Sequence, residues 1–366
     1  MGILGGRWII DRAPNQLDPA GRLVSGSRSY GRPLPGEYGS YELHTDIDVT
    51  FTMSGQTDSG LTFGASNDLD ESDGSGTGDD AEGESSAFDN RKQGGEEIFI
   101  SGAFGTLTMG DTDGALDWAL EDVGLGASLG DAHTSHLGYV GNDFADDGDD
   151  GDGQIARYDY SFGDFSFALS ADIAEAGGKD IFAAGAKYNF TLPGMRLGVG
   201  VGWQQRAAFD ANVGNESEVK DARGVSLDAD FDNGFRIVLN LVNMGDGPES
   251  FLYQTEFSNT LPEEFEGIGL SYTLDDLTVA ANFGRIREDL PLRTEQKGFG
   301  IAVNYDLGGG AEVQLGYSRS SCKLFDGNTN QGGSVYGHAD ERCNFHDSRS
   351  RAARDDAFSL GVAMSF

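Results

Sequence analysis

The sequence has few prolines, few cysteines and no long apolar run. Only 8 of its 366 residues are proline and 2 are cysteine, whereas 56 are glycine, and hydrophobic residues make up 38%. No stretch approaches the roughly 18 consecutive apolar residues of a transmembrane helix, which excludes a helical membrane protein. The length would suit two soluble domains or one large β-fold, and this composition favours a single unit over residues 1–366.

Basic residues are also scarce. The chain has 25 lysines and arginines against 61 aspartates and glutamates, which gives a net charge of −36. Such an excess of negative charge repels phosphate backbones, so binding to DNA or RNA is excluded. It suits a protein that handles cations or lies among divalent ions. Simple solubility, or life in salty water, is the alternative explanation.

What the sequence has instead is a period of two. In the last twelve residues Phe358, Leu360, Val362, Met364 and Phe366 alternate with small or polar residues. Successive side chains of a strand point to opposite faces, so this segment predicts a sheet with one large apolar face and one small polar face. The same alternation recurs near 47–53, 197–203, 225–231 and 299–305.

The connections between these segments alternate in length. We predict about sixteen strands, separated on one side by tight Gly-, Pro- or Asp-containing turns and on the other by long polar connections. The long connections include 68–94, 111–153, 245–264 and 320–354. The strands are predicted near 20–30, 42–55, 60–67, 95–103, 105–110, 154–162, 164–172, 180–190, 195–205, 220–231, 234–244, 265–274, 276–287, 297–306, 310–319 and 355–366. This rhythm is typical of an antiparallel β-barrel in a bacterial outer membrane.

The first 40 residues fit this scheme poorly, and we leave open whether they form a strand, a plug or an artefact. An exported barrel needs a secretory signal, and the N-terminal residues lack its apolar stretch. We expect either that the signal has been removed or that the start is wrongly assigned. At the other end, Phe366 resembles the C-terminal aromatic that outer-membrane barrels present to their insertion machinery.

Three segments resemble the general diffusion porins of the Rhodobacter type. They are FTMSGQTDSGLTFGAS over 51–66, IFISGAFGTLTMGD over 98–111, and YDLGGGA over 305–311, in the family's order. The resemblance implies a homotrimer of such barrels in outer-membrane lipid, with small hydrophilic solutes and ions diffusing through each channel. It also implies that the third loop folds into the channel, where its acidic residues face basic residues of the wall.

The connection 111–153 is far longer than a hairpin and would be this constriction loop. Its acidic candidates are Asp117, Glu121, Asp122, Asp131 and Asp143. Asp46 and Asp48 stand where the family tends to have channel-facing arginines. The remaining basic candidates for the wall are Arg157, Arg196, Arg22 and Arg28. A wall with more carboxylates and fewer cations predicts a preference for cations.

Two further features leave alternatives open. The acidic run Asp146, Asp147, Asp149, Asp150 and Asp152 could bind Ca²⁺, or divalent ions that bridge lipopolysaccharide, or could be a solvated loop tip. Cys322 and Cys343 could form a disulfide in the last long loop, or remain free thiols. Alkylation without a reductant distinguishes these two states of the cysteines.

No residue pattern supports catalysis, and no cofactor is required. Gly126–Gly130 matches the G-x-S-x-G hydrolase motif beside His133 and His136, but the strand-to-helix turn that this motif needs is not predicted. Gly198–Gly202 lacks the βαβ frame of a nucleotide-binding loop, and these glycines are expected in a crowded lumen or at a subunit contact. A substrate-selective porin, an adhesin and an outer-membrane enzyme are the alternatives to a general porin.

Overall fold

Sixteen antiparallel strands form a closed barrel in a computed structural model of the chain. The structure describes residues 2–11, 40–70, 94–128, 136, 138, 154–173, 180–207, 219–243, 264–288, 294–324 and 352–365. Each strand pairs with its neighbours in sequence, and the first pairs with the last, so the sheet has no free edge. The predicted fold class is confirmed.

The strands have these bounds: β1 Gly2–Asp11, β2 Ser40–Gln56, β3 Thr62–Asp70, β4 Gly94–Gly102, β5 Gly105–Gly110, β6 Ile155–Phe162, β7 Phe165–Asp172, β8 Ile181–Leu192, β9 Met195–Ala207, β10 Val219–Phe231, β11 Phe235–Asn243, β12 Glu264–Leu274, β13 Leu277–Glu288, β14 Thr294–Gly308, β15 Ala311–Leu324 and β16 Ala352–Met364. One helix, α1 Ala115–Ala119, lies between β5 and β6. No helix in the described part of the chain is long and apolar enough to cross a membrane.

The barrel is closed by a strand that the sequence did not predict. Strand β1 covers Gly2–Asp11 and pairs with both β2 and β16, whereas the predicted first strand, 20–30, lies outside the described residues. The two adjacent glycines Gly5 and Gly6 and the two adjacent isoleucines Ile9 and Ile10 hide the period of two in this segment. Its role follows from closure, because β2 and β16 would otherwise leave unpaired backbone groups in lipid.

Short turns and long connections alternate around the barrel, as predicted. The seven connections at one end span only 57–61, 103–104, 163–164, 193–194, 232–234, 275–276 and 309–310. In the Pro193-Gly194 turn the glycine has φ +86°, a conformation that disfavours a side chain. Most connections at the other end are longer, and the third of them follows β5.

The two faces of the wall are reversed relative to a soluble barrel. Large apolar side chains such as Phe51, Met53 and Ile98 face outward, and Met53 is 62% exposed. Polar side chains are buried on the inner face, including Gln204 and Asn240. Aromatic pairs such as Phe162–Phe165 and Tyr188–Phe190, with ring centroids 5.1 and 4.5 Å apart, lie near the short turns. An outer apolar band edged by aromatics fits a wall that meets lipid.

The hydrophobic core lies inside the barrel. It is formed by apolar side chains of the segment after β5 and by small or apolar side chains of the inner wall. Helix α1 lies against β7, β8 and β9. The third connection therefore folds into the channel, and that expectation is confirmed.

Candidate functional site

The third loop enters the barrel through α1, which begins on the wall. The backbone N–H of Ala115 donates to Ser170 Oγ of β7 at 2.9 Å. The first N–H groups of a helix have no partner within the helix, so this wall hydroxyl satisfies one of them. The helix ends one turn later, where Leu120 N–H donates to Asp117 O at 2.9 Å. The start of the loop is thus fixed by β7.

Beyond α1, hydrogen bonds attach the loop to successive strands. Glu121 N–H donates to Ser226 Oγ of β10 at 2.9 Å, and Asn240 Nδ2 of β11 donates to Glu121 O at 3.0 Å. Asn304 of β14 accepts from Ala127 N–H at 3.0 Å and donates to Ala127 O at 2.9 Å. The side-chain amide of Asn304 thus satisfies both backbone groups of a loop residue, as a neighbouring strand would. These bonds hold the backbone of the loop along the wall.

Apolar side chains of the loop are buried against the same wall. Leu116 and Val123 have no exposed surface, and Leu120 is 6% exposed. They pack in one cluster with wall residues that include Val238 and Phe265. Burial of each such side chain contributes about 1.5–3 kcal/mol. The hydrophobic effect therefore favours the docked loop even though the lumen is polar elsewhere.

A wall arginine lies between two carboxylates. Arg236 of β11 forms an ion pair with Glu121 of the loop, and its Nε donates to Asp228 Oδ1 of β10 at 2.9 Å. The Arg236 side chain is 31% exposed, so solvent only partly screens these contacts. Two negative charges around one positive charge leave this part of the channel negative.

A wall lysine contacts the loop differently. Lys187 Nζ of β8 lies 4.3 Å from the ring centroid of Trp118 in α1, which is a cation–π contact. Three loop carboxylates, Asp113, Asp117 and Glu121, also act on Lys187 through space. Lys187 and Arg236 thus both have negative groups around them.

Arg157 and Arg196, the two predicted wall cations that the structure describes, lie at different levels. Arg157 of β6 lies at the start of the loop, where its Nη1 donates to Asp113 O at 2.6 Å and lies 3.8 Å from Asp113 Oδ2. Arg196 forms an ion pair with Asp230 immediately after the turn at 193–194, and its side chain is 75% exposed. Arg196 therefore lies at the short-turn rim and does not contact the described part of the loop.

The structure describes only some of the other predicted site residues. Asp122 Oδ1 accepts the Gly124 N–H at 3.1 Å, which closes a local turn in the loop. Asp46 and Asp48 lie on β2, in register with Ile3 and Asp70, but their side chains lie outside the described part of the structure. The same holds for the side chain of Cys322 on β15. Outside the described residues altogether are Arg22, Arg28, Asp131, Asp143, Asp146, Asp147, Asp149, Asp150, Asp152 and Cys343.

Lys187 and Arg236 were missed by sequence reasoning. Lys187 shares its face of β8 with Ala183 and Gly185, both inward-facing, so strand parity could have identified it. Arg236 lies two residues after the turn 232–234, and alternation with the outward-facing strand residues would have placed it on the inner face. The apolar spacing of Leu116 and Leu120, one helical turn apart, was also a signal for α1.

The motif that resembles a hydrolase site has a structural role. Ser128, the serine of the G-x-S-x-G match, is 7% exposed and lies against Gly316 of β15. Gly126 has φ +82° and lies against Ala280 and Ala302 of the wall. The motif thus belongs to the docked loop, on a fold without the strand-to-helix turn that a nucleophile elbow requires.

His136 anchors the far part of the loop. It is 5% exposed; its Nδ1 accepts the Gly138 N–H at 3.1 Å, and its Nε2–H therefore donates to Asn282 Oδ1 at 3.0 Å. Burial lowers the pKa of His136 to about 4, and the hydrogen bond to Asn282 opposes this shift. The ring is neutral when the loop is docked.

Residues 23–323 match the family described as Gram-negative porin. This chain belongs to the Gram-negative porins. Over 285 residues the porin is 28% identical to a porin of Rhodobacter capsulatus, which covers 72% of this chain and 83% of that protein. The present chain is therefore an integral β-barrel of the outer membrane and a general diffusion channel, not an enzyme.

Solved structures show the same fold. A porin structure refined at 1.8 Å matches with a TM-score of 0.54 at 19% identity, and covers all of both chains. A mutant of the Rh. blastica porin matches with a TM-score of 0.51 at 16% identity, over 100% of this chain and 99% of that one. At these identities the likeness concerns the barrel fold alone.

The anchor at His136 predicts a pH dependence. A free histidine has a pKa of 6.5 and docked His136 about 4, so between these values the undocked loop binds more protons. The free energy that favours loop docking is therefore unaffected above pH 6.5 and decreases as the pH falls towards 4. At pH 5 it is lower by about 2 kcal/mol. We expect noisier open-channel current at pH 5 than at pH 7.

The variant His136→Gln removes the titrating ring, so its noise should be the same at pH 5 and pH 7. His133→Gln, three positions away, should behave like the unmodified porin. An equal pH response in His136→Gln would contradict this assignment.

Proposed function

We propose that this general porin prefers cations, and that the preference arises where the third loop meets the wall. The observation that carries the proposal is Arg236, held between Glu121 of the loop and Asp228 of the wall. The wall charge that would attract anions is thereby outnumbered at the level of the loop. Cations are expected to pass more readily than anions of the same size.

The wider charge distribution in the lumen supports the same direction. Among the described side chains, the basic groups on the inner face are Arg157, Lys187, Arg196 and Arg236. Inward carboxylates of the described wall include Asp159, Asp172, Asp228, Asp230 and Glu312, and those of the described loop include Asp113, Asp117, Glu121 and Asp122. Each of the four basic groups lies beside at least one of these carboxylates.

Excess negative charge selects cations by raising their concentration in the water near the wall. The effect is screened over about 10 Å at 0.1 M salt, so it is stronger in dilute solution. The passage of uncharged hydrophilic solutes depends only on their size relative to the width of the channel. The porin would thus remain a general diffusion channel with an ionic bias.

The test is the reversal potential across a KCl gradient in a planar bilayer. We expect the sign of the reversal potential to show that potassium is more permeant than chloride. The ratio of the potassium permeability to the chloride permeability should be larger in dilute salt. Glu121→Gln and Asp228→Asn should each lower the ratio, because each frees Arg236 from one carboxylate, and the double variant should lower it further. A chloride-selective sign in the unmodified porin would overturn the proposal.

Glu264→Gln is the matched control. Glu264 is also paired with an arginine, Arg287, but the pair lies on the outer face of the barrel. The Glu264→Gln variant removes the same charge without changing the lumen, so its reversal potential should equal that of the unmodified porin. An equal change in Glu264→Gln would mean that total charge, rather than the charge at the loop, sets the preference.

We infer further that three copies assemble through the sector β3–β7. Strands β3 to β7 have 9, 9, 6, 8 and 8 residues, whereas β8 to β10 have 12 to 13. A tilted strand needs about 9–11 residues to cross a bilayer, and β5 to β7 fall short of this length, so the wall around them fits contact with other copies better than contact with lipid. Its outer face presents Phe63, Ile98, Ile100, Leu107, Met109 and Leu169.

Charged side chains in this sector should therefore release monomers. The double variant Ile98→Lys, Met109→Lys places two ammonium groups at the inferred contact, where they would be desolvated. Sedimentation in detergent should show monomers for this variant. Leu239→Lys, on β11 and about half the barrel away, should remain trimeric; monomers in both variants, or trimers in both, would contradict the inference.

Lipopolysaccharide and calcium are proposed as partners at the long-loop end. The outer face carries the ion pairs Arg285–Glu266, Arg287–Glu264 and Arg319–Asp356 on β12 to β16. Such arginines can form bidentate hydrogen bonds with phosphate groups, and the carboxylates can bind divalent ions. The acidic run Asp146–Asp152 is the proposed calcium ligand set, although it lies outside the described residues.

Calorimetric titration tests both partners. Calcium should bind with measurable heat that Asp149→Asn with Asp150→Asn abolishes; no heat in the unmodified porin would remove the calcium site. Lipopolysaccharide should then bind more weakly to Arg285→Gln with Arg287→Gln than to the unmodified porin, with Arg223→Gln on β10 as the control. Equal affinities in all three would remove the proposed lipid contact.

A further inference from the structure

The inner wall beneath the third loop is rich in glycine. Each glycine in a strand interior destabilises the fold by about 0.5–1 kcal/mol relative to alanine. A large number of glycines at these positions therefore indicates a structural requirement. None of those under the loop has a positive φ, so turn geometry is not the reason. The loop-facing glycines on the wall are Gly185, Gly200, Gly202, Gly224, Gly267, Gly269, Gly284, Gly298 and Gly316.

Close approach of the loop backbone is the reason. A Cβ built at Gly200 would lie 1.9 Å from Ala119 O, and one at Gly185 would lie 2.0 Å from Ala115 O. At Gly269 the nearest atom is Val123 O at 2.3 Å. All three are backbone oxygens, which cannot rotate away as the end of a side chain can. The carbonyl groups of the loop thus lie directly on the backbone of the wall.

The hydrogen bonds of the loop depend on the same approach. The Cβ built at Gly200 would also lie 2.7 Å from Ser226 Oγ, the atom that accepts the Glu121 N–H. Further along, a Cβ at Gly284 would lie 2.0 Å from Gly138 O, next to the His136 anchor. A methyl group at either position would therefore lift the loop and disturb an attachment point.

We propose that these wall glycines are positioning residues that set how far the third loop stands from the wall, and hence the free width of the channel. Each strand of the wall is hydrogen-bonded on both sides and cannot retreat, whereas the loop has the lumen on its other side. A methyl group on the wall therefore moves the loop towards the channel axis, by more than about 1 Å to restore ordinary contact distances.

This assignment concerns width and is independent of the ion preference proposed above. Substitution of glycine by alanine leaves every charge of the wall and of the loop in place. The conductance and the size of solutes admitted should therefore change, while the sign of the reversal potential should not. The two proposals can fail separately.

The experiment compares two glycines of β9 that share a face. Gly200→Ala meets the loop, whereas Gly198→Ala has Asn189 Oδ1 at 3.2 Å and its next neighbours at 3.7 and 4.0 Å, so it is the matched control. We expect single-channel conductance to fall by roughly a third or more in Gly200→Ala and in Gly185→Ala, and to be unchanged in Gly198→Ala. Smaller polyethylene glycols should be excluded from the narrowed channels.

A variant at a second site tests the same proposal if Gly200→Ala does not fold. Gly284→Ala acts on β13, at the far part of the loop, and should narrow the channel in the same way. Circular dichroism and resistance to heat denaturation identify the folded barrels to be recorded. Unchanged conductance in the folded loop-facing variants, a rise in conductance, or an equal fall in Gly198→Ala would overturn the proposal.

Discussion

Backbone hydrogen bonding in lipid is the constraint on which the rest of this structure depends. A strand in the hydrocarbon core has no water to satisfy its N–H and C=O groups, so the sheet must close. Pairing of β1 with β16 provides that closure and leaves the apolar side chains outside. The polar and small side chains then face inward, which produces a lumen with room for water and for a loop. The channel is a consequence of closing the sheet.

The third loop changes what that lumen is. Leu116, Leu120 and Val123 give the barrel an internal hydrophobic core, although its wall is polar overall. The core, the hydrogen bonds that the loop N–H groups donate to Ser226 and Asn304, and the pairing of Glu121 with Arg236 all attach the loop to the inner wall. One docked segment therefore determines both the width of the passage and the charge that lines it. These two properties can be changed separately, because glycines control the first and carboxylates the second.

The sequence predicted the strands and turns well because both signals are local. Alternation in 358–366 or 299–305 needs only the geometry of a strand, and the turns at 193–194 and 232–234 have their own chemistry. Partners across the lumen are not local. Lys187 meets Trp118 and Arg236 meets Glu121 only because the loop takes one path along the wall, which no periodicity encodes. Strand β1 was missed for a related reason: its need for pairing arises from the whole barrel.

The central claim is that the conducting channel has its third loop docked on the inner wall. A tether tests it directly, because Leu120 lies against Gly224 of β10, whose built Cβ would be 2.4 Å from Leu120 Cδ1. In the double variant Leu120→Cys, Gly224→Cys, a disulfide should form under oxidising conditions and leave the single-channel conductance at the value seen after reduction. Failure to form the bond, or a large change in conductance when it is reduced, would contradict the account.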